Sequence, residues 1–175
     1  MHMVALKTAR ALLTLMLCSG AVWADDASVN ITGRVLSAAC EPTVDPLAVD
    51  LGTLSRSILS SKGVTGSHTD FTLRLKSCPA EVSQVQVQFD GVAATGDSTA
   101  LALTGSSVAK GVGVQLLDGA KKVLAPGTRS PLMSIIGGNS TVNSLTFSAR
   151  YIATSDTVTA GSANASATFT IWYNN

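Results

Sequence analysis

Charge is scarce in this chain. Asp, Glu, Lys and Arg make up 13% of its 175 residues, and the formal net charge is +1. A chain so near neutrality has no electrostatic grip on nucleic acid or an anionic membrane surface, so neither is an expected main partner. Histidine is scarcer still, with only His2 and His68. Cysteine occurs three times, too few for a disulfide-dense scaffold. Beyond the first residues no apolar run is long enough to span a bilayer. No window of helical length repeats apolar residues at 3.6 spacing, and neither an internal repeat nor a low-complexity linker is visible.

The N-terminus has its own pattern. Lys7 and Arg10 precede the apolar run 11–17, and Ser19-Gly20-Ala21-Val22-Trp23-Ala24 follows. That is the layout of an export signal at residues 1–24, cut after Ala24. A membrane anchor is the alternative, but the run is short for it. Cys18 follows the bulky Leu17, which argues against a lipoprotein signal. Removing 24 of 175 residues leaves 151, a single-domain length with room for a core. Ten Lys/Arg then face eleven Asp/Glu, and the remaining cysteines are Cys40 and Cys78. In an exported chain such a pair is expected to form a disulfide. A metal site is the weaker reading, because His68 is the only histidine left.

What the chain has in quantity is alternation. Ala27, Val29, Ile31, Gly33 and Val35 alternate with Ser28, Asn30, Thr32 and Arg34. Pro42 and Pro46 interrupt the next stretch, Val49-Asp50-Leu51-Gly52 suggests a short edge strand, and 55–69 reads as a polar surface loop. Phe71, Leu73 and Leu75 alternate again, as do Val85, Val87 and Phe89 before the turn signal Asp90-Gly91. Further strands are expected over 100–104, 112–117 and 123–124, and around Leu145, Phe147, Ala149 and Tyr151. The last stretch places Ala165, Ala167, Phe169, Ile171 and Tyr173 on one face over nine residues. About eight short strands with turns between them indicate an all-β sandwich. The first and last alternating strands are the ones without an obvious neighbour, and such an edge is an aggregation hazard unless something covers it.

Catalytic chemistry is hard to find. His68 and Asp70 could form part of a Ser-His-Asp site, but Gly-Ser-His-Thr-Asp reads as a polar loop and no Gly-x-Ser-x-Gly elbow accompanies it. No close carboxylate pair stands in an apolar setting. Gly111-Val112-Gly113 and Gly137-Gly138 lack the lysine or helix start of a phosphate loop and read as bulges or turns. The chain is therefore expected not to be an enzyme and to need no cofactor or metal. Trp172 could stack on a sugar, or could simply cover the outer face of a sheet.

Taken together, the export signal, the alternating arm with Gly33-x-Val35, Cys40 with the later Cys78, and Gly161 followed by Asn164-Ala165-x-Ala167-Thr168-Phe169-Thr170-x-x-Tyr173 resemble the fimbrial subunits of chaperone–usher pili, type 1 pilin-like. Gly161 and Tyr173 stand twelve apart, as the family pattern has it. The resemblance implies an all-β, incomplete immunoglobulin-like β-sandwich completed by a donated strand, with residues 25–36 as donor arm and 37–175 as the pilin domain. It implies that Ala27, Val29, Ile31, Gly33 and Val35 are donated. It also implies that Gly161, Ala165, Ala167, Phe169, Ile171 and Tyr173 belong to the acceptor groove and chaperone-binding strand. The implied partners are a periplasmic pilus chaperone, an outer-membrane usher and neighbouring subunits, with no membrane span after signal cleavage. The implied destination is a surface fimbrium reached through the periplasm. Cys40 lies sixteen residues after the expected cut, a short arm that favours a minor tip adaptor over a rod subunit. Two asparagines follow Tyr173, where family members usually place one residue. The alternative function is a secreted carbohydrate- or host-binding module.

Overall fold

A computed structural model describes residues 39–43, 47–138 and 141–174. The export signal, the arm and its five expected donor residues lie outside the described residues. Among the described residues there is no helix; ten strands run from β1 (Glu41–Pro42) and β2 (Thr65–Lys76) through β3 (Gln84–Asp90), β4 (Ala93–Ala94) and β5 (Asp97–Leu101). They continue with β6 (Val112–Leu117), β7 (Val123–Leu124), β8 (Met133–Ser134), β9 (Asn143–Ala153) and β10 (Thr168–Asn174). The larger sheet has the order β1-β2-β9-β6-β5-β4, with β7 on β6; the smaller has the order β10-β3-β8. Every ladder between these strands is antiparallel.

Period-2 sequence builds the core directly. Leu73 and Leu75 of β2 sit beside Leu145 and Phe147 of β9, because Leu73 pairs with Leu145 and Phe71 with Phe147. Val114 and Leu116 of β6 extend that inner face, and Val85, Val87 and Phe89 of β3 meet it from the other sheet. Phe147 lies edge-on to Phe89 at 5.1 Å and stacked on Phe71 at 5.9 Å. Each buried aliphatic side chain here stabilises the fold by about 1.5–3 kcal/mol relative to exposure. Cys40 and Cys78 are joined in a disulfide and belong to the same cluster.

Three local expectations are corrected. The loop expected over 55–69 ends early, since residues from Thr65 onward belong to β2 and pair with β9 across an irregularity between Thr65 and His68. Gly66 and Ser67 are weak strand formers, and pairing with a long central strand outweighs their propensity. Val49 to Gly52 forms no strand; Asp50 Oδ1 accepts the Gly52 N–H at 2.8 Å, and Gly52 takes φ +65 as a turn residue. Pro42, expected only to interrupt, lies in β1, at the margin of the sheet where its missing N–H costs no ladder bond. Strand β6 is buried along its whole length, so side chains on both faces of the sheet are covered there.

Candidate functional site

Among the described residues strand β10 is paired on one side only. Its seven residues are in unbroken register with β3, from Thr168 opposite Asp90 to Asn174 opposite Gln84. No other strand pairs with it among the described residues. Its outer N–H and C=O row meets no described strand, and such a row is a template for another.

The side chains of β10 keep the period expected of them, but their burial is incomplete. Phe169, Ile171 and Tyr173 point to the core and are half-buried, while Thr168, Thr170, Trp172 and Asn174 are exposed. Phe169 reaches Phe89 at 6.5 Å, and Phe71 reaches Phe89 from the other sheet at 6.3 Å. Val49, Leu51, Phe71, Leu103 and Tyr151 are likewise half-buried against the same core. The core is thus unfinished beside β10, with apolar groups from both sheets left partly in water.

The two ends of β10 are held differently. At its C-terminal end the Tyr173 hydroxyl accepts the Cys40 N–H at 2.8 Å, so the root of the N-terminal segment is tied to the open strand. At the other end the chain crosses from one sheet to the other. Ala165 bridges Leu103, and the Thr104 N–H donates to the Asn164 carbonyl at 2.7 Å. Tyr151 donates its hydroxyl to the Ala163 carbonyl at 3.0 Å; burial, and then the Asp50 carboxylate, pushes its pKa above the ordinary 10.0.

The expected groove residues therefore divide. Phe169, Ile171 and Tyr173 lie on one inward face, with Ala165 half-buried against the same core. Ala167 is exposed, contrary to its expected inward place, because the chain is still crossing between sheets before β10 begins at Thr168. Gly161 lies before the crossing, against residues 108–109. A Cβ there would stand 2.7 Å from the Ala109 nitrogen and 2.9 Å from the Val108 carbonyl carbon, so the close approach requires glycine.

The other candidates resolve plainly. Trp172 lies on the outer face of the small sheet with the Arg129 guanidinium 3.6 Å from its ring centroid. One face of the ring is thus covered by a cation. Arg129 lies in the segment bridged to Gln88, a partnership 43 residues away in sequence from Trp172 that no local pattern announces. His68 lies in β2, its Nε2 4.0 Å from Asp70 Oδ1. Asp70 is instead engaged by Lys121 and by Ser148, whose hydroxyl donates at 2.7 Å, and these bonds lower its pKa below 3.8. Ser148 is bonded to the acid and the lysine rather than to His68, so no nucleophile–base pair forms. Among the described residues no cluster could hold a metal ion, and no helix is long and apolar enough to cross a membrane.

Comparison with known proteins agrees with this architecture. Residues 29–174 match the family model described as "Fimbrial protein". The chain is 38% identical over 156 residues to the "Type-1 fimbrial protein, A chain" of Escherichia coli strain K12, covering 83% of this chain and 82% of that protein. Among solved structures, a Burkholderia pseudomallei antigen and type I fimbria protein superposes with TM-score 0.59 at 33% identity, covering 78% of this chain and 90% of the other. A chain from a chaperone–usher pilus superposes with TM-score 0.62 at 23% identity, covering 89% of this chain and 100% of that one, and shares the fold. The family match over residues 29–174 and the 38% identity across most of both chains lead to one conclusion: the chain belongs to the fimbrial protein family.

Proposed function

We propose that this subunit polymerises by strand donation. Its open β10 edge accepts the arm of a neighbouring subunit, and its own residues 25–36 fill the groove of another. The observation that carries this is the half-burial of Phe169, Ile171 and Tyr173 on a strand with a free edge. An incoming Ala27, Val29, Ile31 and Val35 would cover them while its backbone pairs with β10. Each large aliphatic so buried contributes roughly 1.5–3 kcal/mol before ordering costs. Gly33 would meet a shallow point of the groove. A one-residue slip would turn the apolar row outward, so register is set by the alternation itself. Completion of a sheet by a strand from another chain is a general recognition mode, for which pilin assembly is itself a standard example.

The uncovered groove is an exposed apolar surface, which supports a periplasmic chaperone that caps it and an outer-membrane usher that exchanges cap for arm. Residues 1–24 would direct export and leave before the subunit reaches the surface fimbrium. Deleting Asp25 to Arg34 tests the proposal. The truncated chain should still be captured by the chaperone but should no longer donate to the preceding subunit. Normal polymerisation of the truncated chain would overturn it.

Two places in the fibre follow from this scheme. The short arm favours a minor tip adaptor. The 29% identity over 174 residues to a protein described as "Probable major fimbrial subunit LpfA" favours a repeated subunit. Purified chain that forms long homopolymers is a repeated subunit; chain that joins only other subunits is an adaptor. An adhesive role through Trp172 loses support from the Arg129 contact. Glycan binding that disappears in Trp172→Ala would restore it.

A further inference from the structure

The outer face of the large sheet carries a guanidinium that is held in place but not neutralised. Leu145, Phe147 and Ala149 of β9 point into the core, so Ser148 and Arg150 point away from it. The ion pairs among the described residues engage His68, Lys76 and Lys121, and Arg150 is in none of them. The Arg150 Nε donates to Gln115 Oε1 at 3.0 Å. Gln115 is only 4% exposed, and its Nε2 donates to Thr99 Oγ1 at 2.9 Å. Thr99 Oγ1 in turn donates to Asp97 Oδ1 at 2.7 Å. This relay from β5 through β6 to β9 fixes one side of the guanidinium and leaves its two Nη groups for a partner from outside. A guanidinium held this way presents a fork that fits a carboxylate with two bonds.

The neighbours of Arg150 complete the setting. His68 lies opposite it on β2, as Gln115 does on β6, and side chains so paired share a face with Cβ atoms about 5 Å apart. The irregularity between Thr65 and His68 falls at this row, and such bulges re-aim side chains. In the next row Asp70 is held by Lys121 and Ser148, both through Oδ1, so it does not close the Arg150 fork and keeps Oδ2 as an acceptor. On the other flank Ile152 packs with Ala94 and Ala100 in a covered apolar cluster. That cover keeps water from one side of Arg150 and strengthens the interactions its charge makes.

We propose that Arg150 and His68 form a site for an acidic sugar, a uronate or sialate residue. The Arg150 fork grips the carboxylate, and the His68 imidazole and Asp70 Oδ2 meet hydroxyls of the sugar ring. The exposed side chains around the fork, His68, Asp70 and Thr146, are all polar. Ring hydroxyls match them, whereas the apolar side chains of a peptide would not. Arg150 and Gln115 have separate roles: the first touches the ligand, the second positions the first. The site lies on the large sheet and the β10 edge on the small one, so it does not rest on strand donation.

The test titrates the purified chain with glucuronate and with N-acetylneuraminate, and with glucose and acetate as controls, all at one ionic strength. The His68 ring and Arg150 Nε–H signals are followed by NMR. At least one acidic sugar should give saturable shifts in the millimolar range. Arg150→Gln should weaken that binding at least about tenfold, read at His68. Arg150→Lys should weaken it nearly as much, since it keeps the charge and loses the fork. Arg74→Gln, an exposed cation of the same face without a relay, should leave it unchanged. Unmoved amide signals along the core strands show that each variant is folded. No saturation by either acidic sugar overturns the site. Acetate binding as tightly as the sugars means an adventitious anion only, glucose binding as tightly removes the carboxylate from the interaction, and an equal loss in Arg74→Gln reduces the effect to general charge; each of these overturns it as well.

Discussion

Strands β3 and β10 are register partners over seven residues, yet their fates differ. Val85, Val87 and Phe89 are buried, while Ile171, Tyr173 and Phe169, directly opposite them, are only half-buried. Both strands alternate polar and apolar residues, and both turn their apolar face to the same core. The difference is position. β3 has β8 and β10 on its two sides, whereas β10 has β3 on one side and nothing described on the other. Alternation fixes which side chains face inward; a neighbour on each flank decides how far water is excluded.

The largest effect expected from this contrast is in the two phenylalanines that face each other across the pair. Phe89→Ala should destabilise the fold by about 3–5 kcal/mol, the cost of a cavity in a closed core. Phe169→Ala should cost roughly half as much in the chain without a donor, because its ring is already partly in water. Urea unfolding of both variants measures the gap, and equal costs would erase the contrast. Adding a peptide of residues 25–36 should sharpen it further, raising the Phe169→Ala penalty toward that of Phe89→Ala while leaving the latter nearly unchanged.

Replacing Cys40 and Cys78 together with serine comes next. The 38-residue separation predicts a loss of roughly 3–4 kcal/mol from unfolded-chain entropy. Denaturant titration should show that loss with the β3 side still cooperative. The open side should respond more, since the disulfide also holds Cys40 beside Tyr173. A smaller effect is expected from Tyr173→Phe, which removes only the acceptor for the Cys40 N–H. The cost should be about 1 kcal/mol, and amide exchange at Cys40 should quicken while exchange along β3 stays slow.

Much of this was legible in the sequence, and the reasons are specific. Val85-x-Val87-x-Phe89 became β3, and Val123-Leu124 became a strand of those two residues, because period and turn residues agree locally. The inward set of Phe169, Ile171 and Tyr173 was legible for the same cause. What lay hidden was non-local. The 65–69 stretch looks like a loop until β9 lies beside it. Val49 and Leu51 look like a strand, but a strand needs a partner, and their half-buried side chains face the unfinished part of the core. Ala167 follows the alternation by sequence yet is exposed, because the crossing from Leu103 to Asp90 interrupts the ladder. The Arg129 cover on Trp172 and the Tyr173 tie to Cys40 join residues 43 and 133 apart, beyond any local pattern.

The smallest expected effect separates the closed sheet from the open strand by pH. On the outer face of the large sheet, Asp70 accepts hydrogen bonds from Lys121 and Ser148, with His68 nearby. Lys121 also donates to Ser148 at 2.7 Å, so the β6–β7 turn is fastened to β2 and β9. The Lys121 bond, followed by that from Ser148, lowers the Asp70 pKa below its ordinary 3.8. A carboxylate whose pKa falls on folding stabilises the folded state at every pH above its unfolded value. That contribution fades as pH drops below 3.8 and through the folded value. Asp70 is well exposed, so solvent screens the effect and it should be small. Between pH 5 and about pH 3, the protection of amides around residues 118–122, relative to their intrinsic exchange rates, should fall, while β10, which carries no acid, should keep its protection. Asp70→Asn should flatten the acid response at the turn. Equal loss of protection along β10 would mean that the clasp supports both sheets, and that the open strand depends on the closed one more than its single ladder with β3 suggests.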